Sequence, residues 1–215
     1  MTRIALIHAL AHSVAPINDE LAQAWPEAQR MNLLDDSLSA DLAQRAQGLD
    51  GAMHRRFEML ADYAVGTGAH AILFTCSAFG PCIEAVARKH AGIPVLKPNE
   101  AMVHEALKQG GRVGLIASFA PTLTSMPAEF PGQIDLRCSL AEGAMEALNR
   151  GDLAMHDALV VAAARDLATA SCTVIALAQF SMARAAPAVR QALGLPVLTT
   201  PESAVRALRQ RLAPR

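Results

Sequence analysis

Ala71-Ile72-Leu73-Phe74-Thr75-Cys76-Ser77-Ala78-Phe79-Gly80-Pro81 decides how this chain is read. An apolar run of strand character ends on a thiol. It then breaks at small residues, Gly80 and Pro81, and a helix-period pattern follows. A cysteine between a strand end and a helix start lies near unpaired backbone N–H groups and the positive end of the helix dipole. Such surroundings favour thiolate over thiol and make Cys76 a candidate reactive residue. The competing reading is a small buried apolar side chain, because free cysteine is among the most buried residue types.

Outward from this stretch, short apolar runs alternate with helix-period segments. Strands are expected at 3–9, 30–34, 71–75, 94–96, 111–117, 134–136, 172–177 and 196–198. The clearest helices between them are 50–65, 81–90, 100–109, 148–169, 182–193 and 201–212. This alternation predicts an α/β fold with parallel sheets covered by helices.

The strands form two sets of four, and the chain repeats itself. Arg88, Gly92, Pro94-Val95-Leu96, Glu100 and Val103 recur as Arg190, Gly194, Pro196-Val197-Leu198, Glu202 and Val205, a constant spacing of 102 residues. Arg3-Ile4-Ala5-Leu6-Ile7 is echoed by Arg112-Val113-Gly114-Leu115-Ile116. The reading is two pseudo-symmetric lobes, 1–98 and 99–198, each a four-stranded parallel sheet flanked by helices, with the active site in a cleft between them. Carried back at the same spacing, Cys76 falls on Ala178, with Gln179 beside it. The cleft is then expected to receive a thiol from one side only.

Composition narrows the function classes. Of 215 residues, 19 are basic and 20 acidic, for a net charge of -1. That balance gives no support to nucleic acid or an anionic membrane as partner. Cys76, Cys82, Cys138 and Cys172 show neither zinc-type pairs nor a disulfide framework. Met1-Thr2-Arg3 runs into an apolar stretch too short for a signal peptide. No window approaches the roughly 18 apolar residues of a membrane helix. The expectation is a cytoplasmic, reduced, globular protein. No glycine-rich phosphate loop follows the first strand, so no nucleotide cofactor is expected.

Ligands of open α/β sheets bind beyond the carboxyl ends of the strands. The residues expected there are His8 and His12, Asp35-Asp36-Ser37, Cys76-Ser77, Ser118 to Thr124, and Gln179 with Ser181. Most are small and polar, and hydroxyls with loop N–H groups suit a carboxylate. His8 is expected to line the cleft and is a candidate base for Cys76. His8 and His12 are four apart, but a strand ends near 9, so no metal site is expected. Cys82 reads best as a core cysteine. Asp35 and Asp36 also suit a turn or helix cap, and Gln179 also suits a purely structural hydrogen bond.

Phe74-Thr75-Cys76-Ser77, the Gly114–Thr122 strand and loop, and Glu142-Gly143-Ala144-Met145-Glu146-Ala147-Leu148, taken with the repeat, resemble the cofactor-independent aspartate/glutamate racemase superfamily. That superfamily includes glutamate, aspartate and hydantoin racemases, maleate isomerase and arylmalonate decarboxylase. The resemblance implies an enzyme that needs no pyridoxal phosphate and acts on a small carboxylate. In the racemases two cysteines face each other across the substrate α-carbon, one removing a proton and the other delivering one. Cys76 matches the first. The second falls at Ala178, which departs from the pattern and puts two-base racemisation in doubt. The resemblance also places Ser77, Ser118 and Thr122 at the substrate carboxylate and packs the terminal segment, 199–215, back on the first lobe. Dimers are common in the superfamily; the sequence itself sets no oligomeric state.

Three functions follow. The first is a racemase-like enzyme acting beside a small carboxylate, with Cys76 as acid and base and with His8, Asp36, Ser37, Ser77, Ser118, Thr122 and Gln179 binding substrate. The second is a one-thiol decarboxylase, lyase or hydrolase. The third is a carboxylate-binding protein without turnover.

Overall fold

In the computed structural model, which describes residues 1–44, 48–132 and 134–213, strands and helices alternate along the whole chain. Residues 45–47, 133 and 214–215, which fall in the expected lobes and terminal segment, lie outside the described residues. The chain divides into two units, Met1–Pro98 with Ala204–Arg215, and Asn99–Ser203.

The first unit runs β1 (Arg3–His8), α1 (Val14–Ala24), β2 (Gln29–Leu34), α2 (Ser37–Gln44), α3 (Gly51–Gly66), β3 (Ala71–Phe74), α4 (Gly80–Lys89) and β4 (Val95–Leu96). Its sheet is parallel, in the order β2-β1-β3-β4. The second unit runs α5 (Glu100–Gln109), β5 (Val113–Ala117), α6 (Ala120–Ser125), β6 (Leu136–Leu140), α7 (Ala144–Asn149), α8 (Leu153–Thr169), β7 (Val174–Leu177), α9 (Ala186–Leu193) and β8 (Val197–Thr199). Its sheet repeats the first, in the order β6-β5-β7-β8. A last helix, α10 (Thr200–Leu212), crosses the division, and its Arg209 donates to the Ala24 carbonyl at 2.7 Å.

The central strands β1, β3, β5 and β7 are buried nearly throughout, which is why they read as unbroken apolar runs. One face of the first sheet packs Ile7, Ile72 and Phe74 against Met53 and Phe57 of α3 and Ile83 and Val86 of α4. Phe57 stacks on Phe74 with ring centroids 5.3 Å apart and lies 4.8 Å from Phe79. Full burial of each such ring contributes about 1.5–3 kcal/mol. In the second unit α8 and α9 cover one face and α5 the other.

Three elements differ from expectation. The edge strand β6 starts at Leu136 and extends to Leu140 because Val113 to Ala117 of β5 pair with it in register; Arg137 and Cys138 are exposed, so its apolar signal is weak. The segment 148–169 is not one helix. Gly151, at φ +76°, breaks it, and Asp152 restarts α8 by accepting from the Met155 N–H at 3.0 Å. The helix expected from 182 opens instead as a 3-10 turn, Phe180–Ala185.

The register also corrects the repeat. Ala71 pairs with Ile4 and Val174 with Val113, and Ile4 and Val113 each follow the arginine that opens the strand, Arg3 and Arg112. The spacing in this strand is therefore 103, not 102. Thr75 N–H donates to the Ile7 carbonyl, and Ala178 N–H donates to the Ile116 carbonyl. Core positions agree: Ile72, Phe74, Phe79, Cys82 and Val86 correspond to Ile175, Leu177, Met182, Ala185 and Val189. The first unit has one extra residue between Val86 and Val95, where α4 gives way to β4, and from there the spacing is 102. Ala178 thus corresponds to Thr75, and the counterpart of Cys76 is Gln179. Both are extended residues that lead into a 3-10 turn.

Candidate active site

Cys76 follows the carboxyl end of β3. The strand pleat turns Thr75 to one face and Cys76 to the other, where Cys76 packs at the edge of the α3–α4 core. It is half-buried. Burial pushes its pKa above the usual thiol value, while the Ala78 N–H and the Ser39 hydroxyl, both hydrogen-bonded to the sulfur, pull it part of the way back. The net shift is upward, so the resting group is a thiol. The helix-end surroundings that favour thiolate are outweighed for a physical reason. Cys76 leads into a three-residue 3-10 turn, Ser77–Phe79, before α4 begins, and desolvation outweighs the few N–H groups near it.

Ser39 carries no signal in the sequence because α2 is short and polar. Its position is set by ion pairs. Arg56 of α3 donates to Asp35 at 2.7 Å and to Asp41 at 2.5 Å, and also donates to the Ser37 hydroxyl. Ser37 donates in turn to Asp35 at 2.6 Å. This network ties the start and the middle of α2 to α3 and so holds Ser39 toward Cys76. Partial burial raises the Asp35 carboxyl, but bonds from Ser37 and Arg56 and the Arg56 charge carry it below the usual carboxylate range. Ser37 is committed to this network, and Asp36 is exposed in the turn just before α2. Ser77 opens the 3-10 turn beside Cys76 and is half-buried.

His8 is not a base for Cys76. It is fully buried on the Thr75 face of the strand. Its Nδ1 lies 2.9 Å from the Thr75 hydroxyl and its Nε2 lies 3.0 Å from Asn32 Oδ1. Asn32 Oδ1 also accepts from Asn18 at 2.8 Å, so Nε2 carries the proton and Nδ1 accepts from Thr75. Desolvation lowers the His8 pKa, against a smaller opposing effect of the Asn32 bond. His8 therefore fixes the ends of β1, β2 and β3 as a neutral ring. His12 lies in an exposed 3-10 turn, apart from that ring. Cys82 is fully buried among the α3–α4 side chains, and burial, with a smaller effect of the Asp50 charge, raises its pKa to about 11.

At the carboxyl end of the second sheet, Ser118 follows β5 and Gln179 follows β7. The Ser118 N–H donates to Gln179 Oε1 at 2.6 Å and the Ser118 hydroxyl donates to the same atom at 3.1 Å. Thr122 lies buried in the first turn of α6. Ala178 is buried among Met102, Ala117 and Leu198. The turn after Gln179 is clamped to α8: Arg184 donates to the Leu153 carbonyl at 2.8 Å and to Asp157 at 2.5 Å, and Asp157 pairs with His156 at 2.8 Å.

The Asp/Glu/hydantoin racemase family matches residues 11–208. The chain belongs to that family. An aspartate racemase homologue from Pyrococcus horikoshii OT3 has the same fold at a TM-score of 0.74 and 15% identity, over 98% of each chain. Allantoin racemase from Klebsiella pneumoniae superposes at 0.70 with 20% identity, over 99% of this chain and 88% of that one. A point mutant of arylmalonate decarboxylase, in a sulfate-associated form, superposes at 0.70 with 19% identity, over 99% and 94%. No curated protein matches the sequence. Among the described residues no group of three or more His, Cys, Asp or Glu is placed to hold a metal ion, and no helix is long and apolar enough to cross a membrane.

Proposed function

We propose that the protein is a cofactor-independent, racemase-like enzyme that acts at the carbon next to a small carboxylate, with Cys76 as its acid and base. The observation that carries this reading is the half-buried Cys76 sulfur at a strand's carboxyl end, held by the Ala78 N–H and the Ser39 hydroxyl. Both donors stabilise the anion when the proton leaves. In the step proposed, Cys76 first loses its thiol proton to solvent, and the thiolate so formed takes the α-proton. The electron pair of the C–H bond moves into the carboxylate, giving an enediolate. The thiol then returns a proton to the same carbon. Ser77, beside Cys76, is the hydroxyl that holds the carboxylate, with Asp36, in the turn after β2, near its substituent. Four free thiols fit a reducing cytoplasm.

A resting thiol also fits a second reading. There the C–CO2 bond breaks, the pair stays on carbon, and Cys76 protonates that carbanion. Proton NMR in D2O separates these readings. The protein is mixed with pooled amino acids, hydroxy acids and malonates, with Cys76→Ser as control. Cys76-dependent loss of an α-proton signal supports the first reading, and a decarboxylated product supports the second. No change in any pool overturns both.

A further inference from the structure

The amide of Gln179 is locked in one orientation. A backbone N–H only donates, so the atom 2.6 Å from the Ser118 N–H is the amide oxygen, and the Ser118 hydroxyl adds a second bond to it. The NH2 group must then face away from Ser118. Among the described residues it donates to no group, and Gln179 is half-buried, not enclosed. Two N–H donors are thus presented without an acceptor, on a side chain whose rotation is already restricted. They stand at the place in the second sheet that Cys76 takes in the first. A carboxamide neither gives up nor takes a proton near neutral pH, but it donates well to an anionic oxygen.

We infer that Gln179 is a substrate-binding residue whose NH2 donates to an oxygen of a small carboxylate. This rests on the proposed carboxylate chemistry and deepens it. The second sheet supplies a preorganised donor at the position equivalent to Cys76. The Ser118 bonds have the role of aiming, and Arg184 holds the turn that follows.

Gln179→Glu tests the inference because it is nearly isosteric. One carboxylate oxygen still accepts from Ser118, while the other replaces a donor with a negative acceptor. The expected result is an unchanged thermal midpoint with KM for the substrate found in the D2O experiment raised about 30-fold or more. The side-chain 15N–1H signals of Gln179 are also followed during titration with malonate, in the Cys76→Ser protein so that no turnover intervenes. They are expected to shift saturably. If wild type turns over a carboxylate and Gln179→Glu matches it in kcat and KM, the inference fails and the proposed function stands. The inference likewise fails if malonate shifts other signals but not these. If no signal shifts and no pool reacts, the carboxylate reading itself fails and the inference with it.

Discussion

Gln179 stands in the second sheet where Cys76 stands in the first: each is the second residue past its strand, and each leads into a 3-10 turn. The two positions differ only in chemistry. One is a titratable sulfur with a raised pKa, and the other is a non-titrating amide fixed by Ser118.

This correspondence makes a prediction about cysteine placement. Ala178→Cys puts sulfur among Met102, Ala117 and Leu198, in the core that backs β7. It is expected to gain no activity and to resist alkylation by iodoacetamide in the native state. Gln179→Cys is expected to be alkylated at 179 without denaturant. Mass spectrometry of the labelled peptides checks both, and fast native labelling at 178 with none at 179 overturns the register.

The pH dependence follows from the state of Cys76. Its folded pKa is raised, so the thiol persists through neutral pH and ionises only above the ordinary thiol range. Proton abstraction needs the thiolate, so kcat/KM for exchange is expected to climb about tenfold per pH unit on that alkaline limb. Protonation of a carbanion needs the thiol, so decarboxylation is expected to be flat near neutrality and to fall at high pH. A pH–rate profile distinguishes them.

Ser39→Ala removes a donor to the sulfur and leaves Ala78 as the remaining one. The alkaline limb is expected to move to higher pH, with a loss of roughly fivefold in exchange rate at fixed pH, the worth of about 1 kcal/mol. Thermal stability is expected to change little, since Ser39 is not part of the Arg56 network.

His8 contributes to acid sensitivity. Its folded pKa is lowered below the ordinary value of 6.5, so the neutral ring is favoured in the fold. The unfolded chain then binds more protons at this site than the native one. Its contribution is fully present above pH 6.5 and is lost as pH falls below that value through the lowered folded pKa. His8→Gln is expected to cost about 1–3 kcal/mol at pH 7.5, because one hydrogen bond is lost next to buried Thr75. It is also expected to flatten the decline between pH 7 and pH 5, which urea denaturation at both ends measures.

Much of the fold was legible because the central strands are buried on both faces and carry unbroken apolar runs. Ala71–Phe74 and Val113–Ala117 are the clearest. The repeat was legible too, but its strongest identities, Arg88 with Arg190 and Pro94-Val95-Leu96 with Pro196-Val197-Leu198, lie at or beyond the extra residue before β4. Carrying that spacing back across it misplaced the partner of Cys76 by one residue, which in a strand reverses the face. Ser39 was illegible because α2 has no apolar stripe long enough to announce a helix. The thiol state of Cys76 was illegible for another reason: burial is a property of the packed unit, and local sequence shows only the N–H groups nearby. His8 looked available because strand ends point toward ligands; the pleat decides otherwise.

The most direct test of a single acid and base is the hand of the product. Wild-type protein is incubated in D2O with one pure enantiomer of an exchanging substrate, or with a prochiral malonate that it decarboxylates, and the labelled product is resolved on a chiral column. The account predicts one enantiomer, with configuration retained on exchange and deuterium incorporation abolished in Cys76→Ser. A racemic product formed at the rate of exchange would contradict it, because a second group would then be moving protons on the opposite face.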